Sequence, residues 1–144
     1  MDLPFQVLHA DARLPAAAHE HDAGLDLRSV ASSRIEPGRR ALVPVGLAVE
    51  IPPGHAGLVI PRSGLAARHG ITVLNAPGLV DAGYRGELMV ALLNTDPDEA
   101  FAIAVGDRIA QLVIVAVPDV RPVAAGELSA SVRGEGGFGS TGRG

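Results

Sequence analysis

The sequence predicts an all-β domain, a β-sandwich with one short helix. Gly (18) and Pro (11) are spread along all 144 residues, and the pieces between them are too short for regular helices. In one of these pieces, 25–30, apolar and polar residues alternate as in a strand with one buried face. Large aromatic residues are scarce, with three Phe, one Tyr and no Trp, which favours a core of aliphatic strands packed on strands. The length favours a single domain.

Nine pieces are predicted strands, in the order 5–9, 25–30, 41–43, 45–51, 56–60, 72–74, 87–94, 101–104 and 109–117. Pro44 lies between the third and the fourth, and a Gly-rich loop separates 72–74 from 87–94. The only predicted helix is Ser63–His69, of two turns at most. Short strands at close spacing, divided by turn residues, are typical of a sandwich or barrel.

Composition excludes several classes of function. The net charge of −4 and the absence of a basic stripe argue against a nucleic-acid partner. Without Lys there is no Schiff base and no phosphate-loop lysine, and without Cys no disulfide, thiolate metal site or cysteine nucleophile. The first residues lack the features of a signal peptide, and the longest apolar run is too short to span a bilayer. We therefore expect a cytoplasmic protein with no membrane partner.

The chain ends in a glycine-rich segment, 133–144, in which no core element can form. We therefore divide the chain into a β domain, 1–132, and a flexible arm, 133–144. In the arm, Phe138 could stack on the flat face of a base, and Arg133 offers a fork of donors to a phosphate. Backbone N–H groups of 136–141 could add an anion nest. The alternative is a flexible end with an incidental Phe.

A second candidate is 61–65, which follows a predicted strand and precedes the helix. Backbone N–H groups at a helix start, with Ser63 and Arg62, would form a phosphate clamp. Alternatively, Ser63 is only an N-cap and Arg62 only a surface residue.

A third candidate is the loop 75–87, which contains an Asp, an Asn and the only Tyr. Asp81 beside bound phosphates could deprotonate a water, or it could merely cap a turn. Tyr84 could equally be structural, with its hydroxyl anchored to the backbone.

The segment 106–112 places Gln111 inside an apolar strand. Its amide is either satisfied internally or donates to a ligand. Asp107 and Arg108 are interpreted as a structural ion pair or a turn cap. The cluster 19–22 resembles a metal site, but its spacing favours a solvated loop.

Together these pieces resemble the five ordered motifs of the trimeric dUTPase family (deoxyuridine 5'-triphosphate nucleotidohydrolase, dUTP diphosphatase). The motifs are 23–27, 61–66, 78–87, 106–112 and 133–142, and they span nearly the whole chain in family order. The third departs slightly, with Leu79-Val80 where the family more often has Thr-Ile or Ile-Ile. Both pairs are apolar, so only a small packing effect is expected.

The resemblance implies a jelly-roll-like β-sandwich that forms a homotrimer with a swapped C-terminal arm. It implies hydrolysis of dUTP to dUMP and pyrophosphate with Mg²⁺, which limits uracil incorporation into DNA and supplies dUMP for dTMP synthesis. Asp81 would activate the water that attacks the α-phosphorus. Asp26 would touch the metal through water, since Mg²⁺ is held mainly by the substrate phosphates.

The resemblance also implies roles in substrate binding. Arg62, Ser63 and Gly64 would hold the phosphate chain, and Gln111 would assist at the α-phosphate. Arg133, Ser140 and Thr141 would grip the far end of the chain, and Phe138 belongs to the same closing arm. The family's β-hairpin reads uracil at Asn75, Leu79, Val80 and Met89, while Tyr84 lies against the deoxyribose.

Three rival functions remain open from the sequence. A dCTP deaminase on the same fold needs an additional carboxylate at the base, which is not identifiable here. A non-catalytic nucleotide-binding regulator would not need Asp81 as a base. A β-sandwich adhesion module would release no pyrophosphate from any nucleotide.

Overall fold

A computed structural model of the chain describes residues 1–132 and residue 134. These residues form ten strands and one helix. They are β1 (Phe5–Val7), β2 (Leu25–Arg28), β3 (Ser33–Ile35), β4 (Arg40–Val49), β5 (His55–Ile60), α1 (Ser63–His69), β6 (Ile71–Val73), β7 (Gly78–Val80), β8 (Glu87–Asn94), β9 (Phe101–Ile103) and β10 (Arg108–Ala116). Apart from bends, residues 117–132 contain no regular structure.

Two four-stranded sheets form the body, in the orders β1-β4-β8-β6 and β2-β10-β5-β7, and β3 and β9 form a small third sheet. All the strand pairs are antiparallel. One core contains buried residues of both large sheets, among them Val43, Leu92, Leu27 and Leu112. The predicted all-β sandwich with one short helix is therefore confirmed. No helix among the residues that the structure describes is long and apolar enough to cross a membrane.

Strand β4 corrects the prediction that the chain breaks at Pro44. Pro44 lies inside one continuous strand, opposite Met89 of β8, and the register shifts between Pro44 and Ala48. Proline lacks the N–H that a regular ladder needs, and a bulge is a place where a sheet tolerates it. Gly46 forms the bulge with φ +71°, and its N–H donates to Glu87 Oε1 at 2.8 Å.

Replacing Gly46 by Ala is expected to lower the free energy of unfolding by about 3 kcal/mol. A Cβ there would lie 2.8 Å from His9 Cβ and from Val30 Cγ1, on a backbone whose φ already disfavours any side chain. Urea denaturation measures the loss. Gly126→Ala, where an added Cβ would meet no atom within 4 Å, is the matched control. Equal midpoints for the two variants would contradict the prediction.

Two strands, β3 and β7, were not predicted. Each has three residues, which is too short for a periodic signal. Strand β7 lies in the segment predicted as a Gly-rich loop, and it pairs with β5 through Gly57↔Val80 and Val59↔Gly78. This pairing is important because β7 leads directly into Asp81.

Helix α1 has the predicted bounds, Ser63–His69. It ends at Gly70, whose φ of +64° is left-handed and whose N–H donates to the Ala66 carbonyl. The N-cap is Arg62, and no side chain caps the helix. The alternative in which Ser63 is the N-cap is therefore wrong.

Candidate active site

The first cluster of predicted site residues lies on three neighbouring strands. The register of β10 places Gln111 between Asp26 of β2 and Ile60 of β5, and Arg62 follows β5 by two residues. Three of the predicted motifs therefore meet at one end of this sheet. Residues 26, 62 and 111 are far apart in the chain, so this proximity depends on strand pairing alone.

Asp26 is the charged centre of this cluster. It is only 6% exposed, and Arg108 Nη1 donates to its Oδ2 at 3.0 Å. Arg62 Nε lies 3.2 Å from Oδ1, close enough for attraction between charges but not aligned for a hydrogen bond. Among the described residues Oδ1 has no hydrogen-bond donor, although buried carboxylate oxygens are normally paired.

This orphaned oxygen fits the predicted contact with a metal through water. A metal-bound water could donate to Oδ1 without displacing either arginine. The two guanidinium groups repel a bare cation, so a metal ion would enter together with the phosphates that hold it. No group of three or more His, Cys, Asp or Glu that could hold a metal occurs within 1–132. Residues 19–22, predicted as a solvated loop, are exposed and form a turn in which the Asp22 N–H donates to the His19 carbonyl.

Asp107 and Arg108 do not pair with each other. Asp107 Oδ2 accepts the Ala104 N–H at 2.8 Å and caps the turn before β10, so the turn-cap interpretation is confirmed for Asp107. The partner of Arg108 is Asp26, 82 residues away. Sequence reasoning missed Arg108 as a member of the site because nothing local indicates that contact.

Gln111 is half-buried and its amide lies against the backbone of Gly24. A Cβ at Gly24 would lie 2.8 Å from Gln111 Nε2 and 2.9 Å from Cδ. Glycine in the first motif therefore makes room for the Gln111 amide.

The start of α1 adjoins the same cluster. Ser63 and Gly64 are exposed, and their backbone N–H groups have no partner within the helix, whereas the Leu65 N–H already donates to the Arg62 carbonyl at 3.1 Å. Arg62 is held by a bond from Nη1 to the Arg108 carbonyl at 3.3 Å. A cavity of about 340 Å³ opens here, lined by Arg62, Leu65, His69, Phe101, Ala102, Asp107, Arg108 and Ile109. This face therefore offers arginine donors and unused backbone donors to an anion.

The second cluster is formed by the third motif. A cavity of about 170 Å³ is lined by Val59, Leu79, Val80, Asp81, Tyr84, Glu87, Leu88 and Met89. Five of these eight were predicted as site residues. Asn75 lies nearby in the turn before β7. Its side chain packs against Gly78, where an added Cβ would lie 3.3 Å from Asn75 Nδ2. The structure therefore places an acidic group at the edge of a small, largely apolar pocket.

Tyr84 is anchored to the backbone, since its hydroxyl donates to the Glu87 carbonyl at 2.9 Å. Its ring lies so close to Gly86 that a Cβ there would approach the hydroxyl to 2.5 Å. Arg85 braces the loop by donating to the carbonyls of Ala82 (2.7 Å) and Tyr84 (2.8 Å). Sequence reasoning gave Arg85 no role, and only the folded loop shows one.

The two clusters lie at opposite ends of β5. Because Val80 pairs with Gly57, Asp81 lies near the beginning of β5, whereas Arg62 follows its end. At about 3.3 Å per residue the separation is about 20 Å. One chain therefore does not bring Asp81 to Arg62 and Gln111. The remaining predicted contacts, Arg133, Phe138, Ser140 and Thr141, lie outside the described residues.

Comparison with known proteins identifies the family of the chain. The dUTPase family model matches residues 10–142. A deoxyuridine 5'-triphosphate nucleotidohydrolase of Thermobifida fusca is 56% identical over 135 residues, which are 94% of this chain and 75% of that protein. The enzyme of the same name from Leifsonia xyli is 52% identical over 130 residues, 90% of this chain and 86% of that protein.

Solved structures show the same fold. The dUTPase of Staphylococcus bacteriophage 80alpha with dUpNHpp has a TM-score of 0.91 and 32% identity, covering 98% of both chains. A mutant dUTPase from phage phi11 of S. aureus, described with a structural Mg(II) ion, has a TM-score of 0.82 and 28% identity, covering 90% of this chain and 100% of that one. The matched motifs, the fold and these relatives agree, and the chain belongs to the dUTPase family.

Proposed function

We propose that this protein is a dUTP diphosphatase, which hydrolyses dUTP to dUMP and pyrophosphate. The reaction limits uracil incorporation into DNA and supplies dUMP for dTMP synthesis, and we assign it to the cytoplasm, where a nucleotide-pool enzyme acts. The observation that carries the proposal is the position of Asp81 at the edge of the pocket formed by Leu79, Val80, Tyr84 and Met89. A base and sugar in that pocket would present the α-phosphate to a general base.

Uracil would be recognised by backbone groups of β7. This strand lies at the edge of the sheet order β2-β10-β5-β7, so the side of its backbone that faces away from β5 offers unpaired donors and acceptors. The side chains of Leu79, Val80 and Met89 would enclose the ring, and Asn75 would complete the hairpin. A narrow pocket excludes the 5-methyl group of thymine, and mismatched buried polar groups make cytosine costly. Tyr84, fixed by Gly86 and Glu87, would exclude a ribose 2'-hydroxyl.

The phosphate chain would lie on the first cluster. Arg62 offers a charged fork, Ser63 and Gly64 offer first-turn N–H groups, and Gln111 would contact the α-phosphate. Asp81 would take a proton from water as the water oxygen bonds to the α-phosphorus, while the bond to the bridging oxygen breaks and pyrophosphate leaves. Mg²⁺, bound to the phosphates and contacting Asp26 through water, would neutralise their charge.

The active site would be assembled between chains of a homotrimer. The separation of about 20 Å within one chain requires that Asp81 and Arg62 of one site come from different copies. The apolar part of the outer face of β4 and β8 would serve as the surface for self-association. It places Leu42 (63% exposed) opposite Ala91, and Pro44 opposite Met89. The sequence showed no such stripe, because β8 is apolar on both faces and its alternation is weak.

The arm, 133–144, is proposed from sequence alone to swap onto a neighbouring chain and close the site. Arg133, Ser140 and Thr141 would hold the far end of the triphosphate, and Phe138 would stack on the base. Ordering on binding would admit substrate and then exclude water.

Pyrophosphate release from dUTP, dTTP, dCTP and UTP with Mg²⁺, measured side by side, tests the proposal. We expect rapid release from dUTP and little from the other three. Ammonia released from dCTP would favour the deaminase. Tight dUTP binding without pyrophosphate release would favour the nucleotide-binding regulator, and no effect on any nucleotide would favour the adhesion module.

A further inference from the structure

Asp26 creates a difficulty for the phosphate clamp. A buried carboxylate needs donors, and Arg62, the arginine assigned to the phosphates, lies beside it. If Arg62 satisfied Asp26 with a bidentate pair, its fork would be occupied before any anion arrived. The structure shows a different division of contacts.

Arg108 provides the donor that Asp26 needs. Its Nη1 bonds to Oδ2 at 3.0 Å, while Arg62 Nε approaches Oδ1 at 3.2 Å without a hydrogen bond. The Arg108 carbonyl meanwhile accepts from Arg62 Nη1 at 3.3 Å. One residue therefore holds the carboxylate with its side chain and orients the neighbouring guanidinium with its backbone.

The balance of charges around Asp26 also indicates that one guanidinium group is free to bind an anion. Two guanidinium groups flank one carboxylate, so one positive charge is left uncompensated within this triad. Asp107, whose Oδ2 accepts the Ala104 N–H, also lines the cavity and keeps its negative charge, so the excess positive charge is local to the triad. Both arginines line the cavity of about 340 Å³, and an anion would bind at the guanidinium groups, where the excess charge lies.

We propose that Arg108 is a positioning residue: by pairing with Asp26 it keeps the Arg62 fork available to the phosphates of the substrate. This inference rests on the proposed role of Arg62 in phosphate binding. Without Arg108, the nearest donor to the buried carboxylate is Arg62, which would turn onto Asp26 and leave the cavity. The carboxylate would then compete with the substrate for the same guanidinium.

Binding of inorganic pyrophosphate, measured by calorimetry in EDTA so that no metal contributes, tests this role. We expect Arg108→Gln to weaken binding by about tenfold, a typical loss for one charge-assisted contact. The decisive variant is Asp26→Asn with Arg108→Gln, which removes the competing carboxylate. It should bind pyrophosphate within about twofold of Asp26→Asn alone. Arg108→Lys, which keeps a charge for Asp26, should retain most of the affinity.

Arg28→Gln is the matched control. Arg28 lies opposite Arg108 in the register of β2 and β10, but its side chain donates to the Gly106 carbonyl at 2.8 Å. Its loss removes the same charge nearby and should change affinity by less than about twofold. Thermal melts show whether each variant is folded, and the double variant avoids an unpaired buried charge if Arg108→Gln unfolds.

Four results would overturn the inference: no rescue in the double variant, equal losses for Arg28→Gln and Arg108→Gln, unchanged binding by Arg108→Gln, or no pyrophosphate binding by the unaltered protein. Absence of rescue would mean that Arg108 contacts the anion directly. Failure of the proposed function is seen separately, as absence of pyrophosphate release from dUTP. The two failures are therefore distinguishable.

Discussion

Asp81→Asn is expected to lower kcat for dUTP by about two to four orders of magnitude, the range that a general base contributes. Asparagine has nearly the same shape, so the turn in which the Tyr84 N–H donates to the Asp81 carbonyl at 3.0 Å should persist. The amide cannot accept the proton of the attacking water. Affinity for a non-hydrolysable dUTP analogue should therefore change by only a few-fold, and single-turnover kinetics with binding measurements would separate the two effects.

The matched control for this substitution is Asp119→Asn. Asp119 and Asp81 line the same cavity of about 360 Å³ beside Val117, so both substitutions remove one negative charge from the same region. Only the change at Asp81 should reduce turnover. Normal turnover by Asp81→Asn would remove this residue from the mechanism, whereas equal losses in both variants would indicate a general effect of charge.

Mixing two inactive variants is expected to restore about one quarter of the wild-type activity. Asp81→Asn chains keep an intact Arg62, and Arg62→Gln chains keep an intact Asp81. If each site draws these residues from different copies, random 1:1 assembly leaves one site in four with both. The variants would be dissociated, mixed and reassembled, and dUTP turnover would be compared with that of each variant alone.

A second pair controls for nonspecific recovery. Arg62→Gln and Gln111→Ala both damage the cluster on β2, β5 and β10, so no chain in that mixture carries the cluster intact. This mixture should stay inactive. If the mixture of Asp81→Asn with Arg62→Gln also stays inactive although mixed oligomers form, the site does not combine these residues from different chains.

Local signals explain which elements were predictable. Helix Ser63–His69 and strand Glu87–Asn94 have the predicted bounds. The residue that ends the helix, Gly70, directly follows it in the chain. Strand β4 was predicted as two pieces because Pro44 is a local interruption, and the bulge that accommodates it depends on β8. Strand β7 was missed because three residues are too few to show the alternation of apolar and polar residues that is typical of a strand.

Some residues of the candidate site could be predicted from the sequence. Asp81, Tyr84 and Gln111 were identified as candidate site residues, each with a structural alternative, and the structure places each in one of the two clusters. Arg108 and Gly24 were missed, although both lie inside recognised motifs. Arg108 contacts Asp26 Oδ2, and Gly24 contacts the Gln111 amide. A contact between residues that are distant in sequence cannot be recognised in either segment alone.

The sequence by itself determined most of the strand and turn pattern, the sandwich class and the kinds of side chain available for phosphate and base, because each depends on neighbours along the chain. Tertiary structure decided the register that aligns Asp26, Gln111 and the end of β5, and it placed Asp81 at the other end of that strand. A shift of one residue would turn these side chains to the opposite face of the sheet. The physical reason is that strand pairing joins residues whose separation in sequence is unrelated to their distance in space.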